Sequence, residues 1–117
     1  MIQSIAFFVY PVGDMKRAHD FYGRVLGLKV ESRVGEEWIE YDVGGTTFAI
    51  TTMDANHRPA AKGAVAAFEV DDLDNTVAQL KAEGVRFAVE NAESPVCRSA
   101  IALDPDGNEL IIHKRKS

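Results

Sequence analysis

Residues 3–12 carry apolar side chains on both alternations from Ile5 onward, which predicts a strand with both faces covered. The pattern then changes period. Met15, Ala18, Phe21, Tyr22, Val25 and Leu26 recur at helical spacing, with Lys16, Arg17, Asp20 and Arg24 on the opposite side. Asp14 precedes the first turn as an N-cap, and Gly27 ends the helix. Three strands are predicted next, over about 28–34, 37–43 and 46–52, divided by Gly35 and by the hairpin pair Gly44-Gly45. Residues 53–63 have no periodicity and contain Pro59 and Gly63, as expected of a linker. The pattern then repeats. A strand over 64–70 leads to a helix capped by Asp71 or Asp72, whose stripe is Leu73, Val77 and Leu80 and whose stop is Gly84. Strands at about 85–89, 97–103 and 109–113 follow, and Asp104-Pro105-Asp106-Gly107 forms the turn before the last.

The two patterns are copies. Asp14 falls on Asp72 and Met15 on Leu73, an offset of 58 in 117 residues. The fold expected is α+β: two βαβββ modules forming curved mixed sheets around a cleft, with the helices outside. The first module spans 1–52, the linker loop 53–63 and the second module 64–117, together a single structural domain. A seam between similar halves is a natural place for a small ligand, and loops like the linker often cover such clefts, an open question for this one.

Composition narrows the partners. A net charge of −5 argues against nucleic acid, whose binding needs a basic face to displace counterions. The basic cluster Lys114-Arg115-Lys116 reads as a solvated tail. No apolar run approaches the ~20 residues of a membrane span, and no leader pattern opens the chain, so no membrane is expected and a cytoplasmic location is. One cysteine, Cys97, excludes an intrachain disulfide.

Three segments, taken in order, carry a family resemblance. They are Phe7–Leu26 with Phe21-Tyr22 and Leu26-Gly27-Leu28, then Phe68-Glu69-Val70-Asp71-Asp72-Leu73-Asp74, then Asp104-Pro105-Asp106-Gly107-Asn108. Together they cover almost the whole chain, which resembles the vicinal oxygen chelate superfamily of glyoxalases, bleomycin-resistance proteins and extradiol dioxygenases. That resemblance implies a divalent metal held by His or Glu on the first and fourth strands of each half. The corresponding positions here are Phe7, Val65 and Ile111, with the fourth-strand site near Phe48 or Ile50. None of these side chains has a nitrogen or carboxylate oxygen to offer a cation. The expectation is therefore a family metal site that has been lost, no cofactor, and apolar residues lining a dry pocket. His19, His57 and His113 form no alternative cluster with ligand spacing, and Glu109 and His113 lie about 13 Å apart along one strand.

Strand parity gives the candidate lining: Phe7 and Val9, Trp38 and Glu40, Phe48 and Ile50, Val65, Ala67 and Glu69, and Ile111 and His113. The other parity, including Phe8, Tyr10, Ile39, Tyr41, Leu110 and Ile112, is expected under the helices. Trp38 suits the stacking of a flat ligand, or else plugs a sheet face or a subunit contact. Glu69 interrupts an apolar strand; in a cavity its pKa would rise and it could act as a general base, with His113 assisting. Arg98 beside Cys97 would favour a reactive thiolate, whereas burial would make Cys97 a filler.

Three readings follow. The first is a metal-independent protein that binds a small apolar or aromatic molecule through Phe7, Val9, Trp38, Phe48, Ile50, Val65 and Ile111, as a homodimer like many relatives. The second is an enzyme, a glyoxalase-type lyase or isomerase or a dioxygenase-like protein, using a displaced metal or the pair Glu69 and His113. The third is a protein–protein module.

Overall fold

The computed structural model describes residues 1, 3–54, 57–60 and 65–116. The chain forms two compact units, Met1–Pro59 and Ala60–Ser117. Part of the linker predicted over 53–63, and the start of the strand predicted over 64–70, lie outside the described residues.

The first unit runs β1 (Phe8–Pro11), α1 (Met15–His19), a π-helical segment (Asp20–Val25), β2 (Lys29–Val34), β3 (Trp38–Val43) and β4 (Thr46–Thr51). Its sheet has the order β1-β4-β3-β2, with β1 parallel to β4 and the other pairs antiparallel. The second unit repeats the plan: β5 (Ala66–Glu69), α2 (Leu73–Ala82), β6 (Arg86–Glu93), β7 (Cys97–Leu103) and β8 (Glu109–Arg115), in the sheet order β5-β8-β7-β6. Asp14 and Asp72 cap the two helices as predicted, each accepting the backbone N–H three residues on, from Arg17 and Asn75. Gly44 and Gly45 both have positive φ, 59° and 88°, the conformation a two-residue hairpin needs. Two four-stranded mixed sheets, each with its own helix, make this an α+β fold of two βαβββ modules.

β1 is shorter than the run over 3–12, because the ladder to β4 pairs only Phe8–Pro11 with Phe48–Thr51. The first helix also departs from the predicted regular pattern. After His19 it widens into a π-helix, in which the Leu26 N–H donates to the Phe21 carbonyl. Two facts account for the change. Phe21 and Tyr22, neighbours in sequence, are both buried against the sheet, which a widened turn permits. The His19 imidazole also lies where a side chain at Gly23 would stand: a Cβ there would meet His19 Cε1 at 2.8 Å.

The core of the first unit is aromatic. Tyr22 packs on Tyr41 and Phe48, Tyr10 meets Phe48 edge-on with centroids 5.1 Å apart, and Ile39 and Ile50 are fully covered. Each such side chain stabilises the fold by roughly 1.5–3 kcal/mol through burial. The buried Tyr41 hydroxyl hydrogen-bonds His19 Nδ1 at 2.8 Å, and the two rings stack. The core of the second unit is aliphatic. Leu73 and Leu80 of α2 cover its sheet, where Leu110 and Ile112 alternate with small Ala100 and Ala102 on the neighbouring strand.

The turn between β7 and β8 is organised by Asp104, which is fully buried. Its Oδ1 accepts the N–H groups of Asp106 and Asn108, and its Oδ2 accepts Asn108 Nδ2 at 2.9 Å. Asn108 Oδ1 in turn accepts the Ala60 N–H. Asp104→Ala strands buried donors and should lower unfolding free energy by about 3 kcal/mol, measured by urea titration. A loss under about 1 kcal/mol would show the turn to be held by other means.

Tyr41 gives a second prediction. Burial pushes its phenol up from 10.0 to about 12. The folded chain holds that proton more tightly than the unfolded chain, so the contribution is intact below pH 10 and is lost as pH rises toward 12. Urea midpoints should therefore fall over this interval. Tyr41→Phe should cost about 1 kcal/mol at neutral pH and show a shallower alkaline decline. An equal decline in both proteins would remove Tyr41 as its source.

Candidate functional site

Each sheet buries one face beneath its helix and turns the other away, and the candidate residues sort by that division. In the first unit the rings of Phe48, Tyr10 and Tyr41 mark the helix side. The register pairs Phe8 with Phe48 and Tyr10 with Ile50, and across the next ladder Tyr41 with Phe48 and Ile39 with Ile50. Phe48 and Ile50 therefore belong to the helix-packed core, not to the open lining where parity was expected to place them. On the open face β4 instead contributes Thr47, Ala49 and Thr51, of which Ala49 pairs with Val9 on one side and Glu40 on the other. The signal that could have identified them is size: Phe48 and Ile50 alternate with the smaller Thr47, Ala49 and Thr51.

Phe7, Val9, Trp38 and Glu40 do share that open face. Phe7 and Trp38 meet edge-to-face, with centroids 5.4 Å apart and planes at 88°. Trp38 is half-buried, and its Nε1–H donates to Glu40 Oε2 at 2.8 Å across one strand repeat. Phe7 keeps 42% of its surface exposed. The result is an aromatic corner with its indole donor already engaged, bordered by Val9.

At the carboxyl ends of the parallel strands β1 and β4 lies a cavity of about 400 Å³, lined by Pro11, Val12, Thr51 and Thr52 and by linker residues that include Asp54 and His57. His57 Nδ1 lies 2.7 Å from Asp54 Oδ2, and the His57 N–H donates to Asp54 Oδ1.

In the second unit, Arg98 marks the helix side of β7. Its guanidinium donates to Asp74 of α2 at 2.8 and 3.3 Å and to Asn91 at 3.2 Å. It thus turns toward α2 and not toward Cys97, whose Sγ lies 3.3 Å from Ser94 Oγ. The open face carries Ala67, Ile111 and Ile101 in one row and Glu69, His113 and Ser99 in the next. Val65, 44% exposed, precedes β5 with the parity of Ala67.

The structure brings Glu69 and His113 together. They are cross-strand partners, and His113 Nδ1 lies 2.5 Å from Glu69 Oε1. The raised Glu69 pKa expected from a cavity is not what this geometry gives. The Arg115 backbone N–H, donating to Oε2 at 2.8 Å, and the His113 side chain hold the carboxyl below its usual range, outweighing desolvation. Glu69 is thus a fixed carboxylate, unsuited to the part of a neutral acid.

The donor set does not fit the metal that the resemblance implies. Phe7, Val65 and Ile111 carry hydrocarbon at its ligand positions. Among the described residues no three His, Cys, Asp or Glu side chains converge as a cation site, and no helix is long and apolar enough to cross a membrane.

The comparisons with known proteins bear on the fold and the family. The chain aligns with solved structures over nearly its full length. The antibiotic binding protein TnmS3 from Streptomyces sp. CB03234 is 26% identical with a TM-score of 0.82, covering 98% of each chain. A putative glyoxalase family protein from Bacillus anthracis is 24% identical with a TM-score of 0.81, covering 99% of this chain and 98% of that one. A lactoylglutathione lyase from Agrobacterium tumefaciens is 20% identical with a TM-score of 0.76, covering 97% and 95%. No curated protein matches the sequence. Residues 4–112 match the model of one family, and with that match the chain belongs to the Glyoxalase/Bleomycin resistance protein/Dioxygenase superfamily.

Proposed function

We propose that this chain binds a small, flat, apolar or aromatic molecule without a metal, and that the open face of the first sheet is where the ring of that molecule rests. The observation that carries this reading is the Phe7–Trp38 pair, two aromatic side chains set edge-to-face on a surface that the helix leaves uncovered. Phe7 stands where the superfamily would place a metal ligand, so the position offers apolar area in place of a cation. Val9 extends that area, and the Trp38–Glu40 hydrogen bond fixes the indole plane before any ligand arrives, which lowers the ordering cost of binding. In the second unit Val65 and Ile111 make the same exchange of donor for hydrocarbon. The likeness to an antibiotic binding protein, TnmS3, supports a sequestering role.

A homodimer belongs to the same proposal. Val34 and Met53 remain 65% and 70% exposed, and a second copy would cover such apolar surface. Sedimentation equilibrium should return twice the chain mass, and a single-chain mass would remove the dimer.

Trp38 is the only tryptophan, so its emission reports on the site. A panel of flat polycyclic aromatics should include compounds that quench Trp38 saturably, with affinity unchanged by EDTA. Phe7→Ala should weaken that binding by about tenfold through loss of the ring's contact area. Trp38→Ala, followed by calorimetry, should weaken it at least as much. Absence of any saturable quench, or affinity that vanishes on chelation and returns with a divalent ion, would overturn the reading.

A further inference from the structure

Three chemically complementary side chains stand in a row across the open face of the second sheet. Glu69 on β5 pairs in register with His113 on β8, and His113 pairs with Ser99 on β7. Carboxylate, imidazole and hydroxyl thus follow one another on three neighbouring strands, facing away from α2. The first two members are in hydrogen-bond contact. Glu69 spends Oε2 on the Arg115 N–H and Oε1 on His113 Nδ1. In a neutral ring, a carboxylate at Nδ1 favours the tautomer with its hydrogen there, which leaves the Nε2 lone pair for a ligand. Among the described residues no group occupies Nε2, and none engages the Ser99 hydroxyl. The His113 side chain keeps 27% of its surface exposed, so a ligand can reach it.

The surroundings suit an aromatic or conjugated partner. Ala67, Ile111 and Ile101 form the adjacent row and offer an apolar floor. Arg115 and Cys97 form the row on the other side, and Arg115 places a cation on the same face.

We propose that the row Glu69–His113–Ser99 is a recognition site for an acidic hydroxyl compound, a phenol or an enol, whose O–H donates to His113 Nε2. Where the hydroxyl is acidic enough, its proton passes to Nε2 and the ligand remains as an oxyanion. The imidazolium so formed faces the Glu69 carboxylate, and the Ser99 hydroxyl can donate to the oxyanion. The electron pair stays on the ligand oxygen, and no other reactant is needed. This site is argued from the second unit alone, so it stands or falls separately from the aromatic corner around Trp38.

The probe is 4-nitrophenol, whose ionised form has its own absorption band. Titration should show saturable binding, with the bound phenol more ionised than the free phenol at the same pH. Glu69→Gln keeps the shape of the side chain and removes its charge. It should weaken binding by at least about tenfold and abolish the extra ionisation. His113→Gln should do the same, and the double variant should lose no more than about threefold beyond either one, because the two residues act as a unit. Ser99→Ala should cost about threefold. Nitrogen-15 NMR of the unaltered protein provides a test that survives misfolding of any variant: His113 should carry its hydrogen on Nδ1. A hydrogen on Nε2, no saturable binding, or variants that bind as the unaltered chain does would each overturn the proposal.

Discussion

The period-two alternation of a strand is the constraint on which both units depend. Once one large side chain must lie beneath the helix, the faces of the positions paired with it in unbroken register are decided. In the first unit that side chain is Phe48, held against Tyr10 and Tyr22. Shifting β4 by one residue would expose Phe48 and Ile50 and put Thr47, Ala49 and Thr51 under the helix. Losing two buried large side chains costs about 3–6 kcal/mol, a large share of the 5–15 kcal/mol that a domain of this size holds in reserve. The open face is therefore not an independent feature of the molecule. Phe7, Val9, Trp38 and Glu40 are where they are because the aromatic core claims the opposite parity.

The same constraint explains what the sequence made legible. Helix caps, glycine turns and the strand–helix alternation are local signals, and Asp14, Asp72 and Gly44-Gly45 act in the structure as their chemistry dictates. The facing of β4 is not local. Phe48-Ala49-Ile50 is apolar at three successive positions, so hydrophobicity alone cannot say which side faces the helix. Only the difference in volume between Phe48 and Ala49 carries that information, together with the core that must accept the larger ring. The widened helix after His19 is equally non-local, since it depends on a ring stacked on Tyr41 from another element. The ionisation of Glu69 is non-local for a related reason. The group that most strongly holds its carboxyl ionised is a backbone N–H at Arg115, 46 residues away, and no side-chain pattern announces a backbone donor.

Parity also governs how the open face of the second sheet divides into rows. Glu69 and His113 lie four and two residues beyond Val65 and Ile111. Both separations are even, so the apolar and polar groups share one face. Each step of two residues is about 6.6 Å along a strand, enough to separate an apolar row from a polar one without turning either toward the helix. The face thus holds Ala67, Ile111 and Ile101 beside Glu69, His113 and Ser99. An imidazole lone pair backed by a fixed carboxylate discriminates, because it rewards a hydroxyl that can give up its proton and offers nothing to a carbonyl. An apolar body carrying one acidic hydroxyl matches the two rows in order, a narrower specification than the superfamily fold supplies by itself.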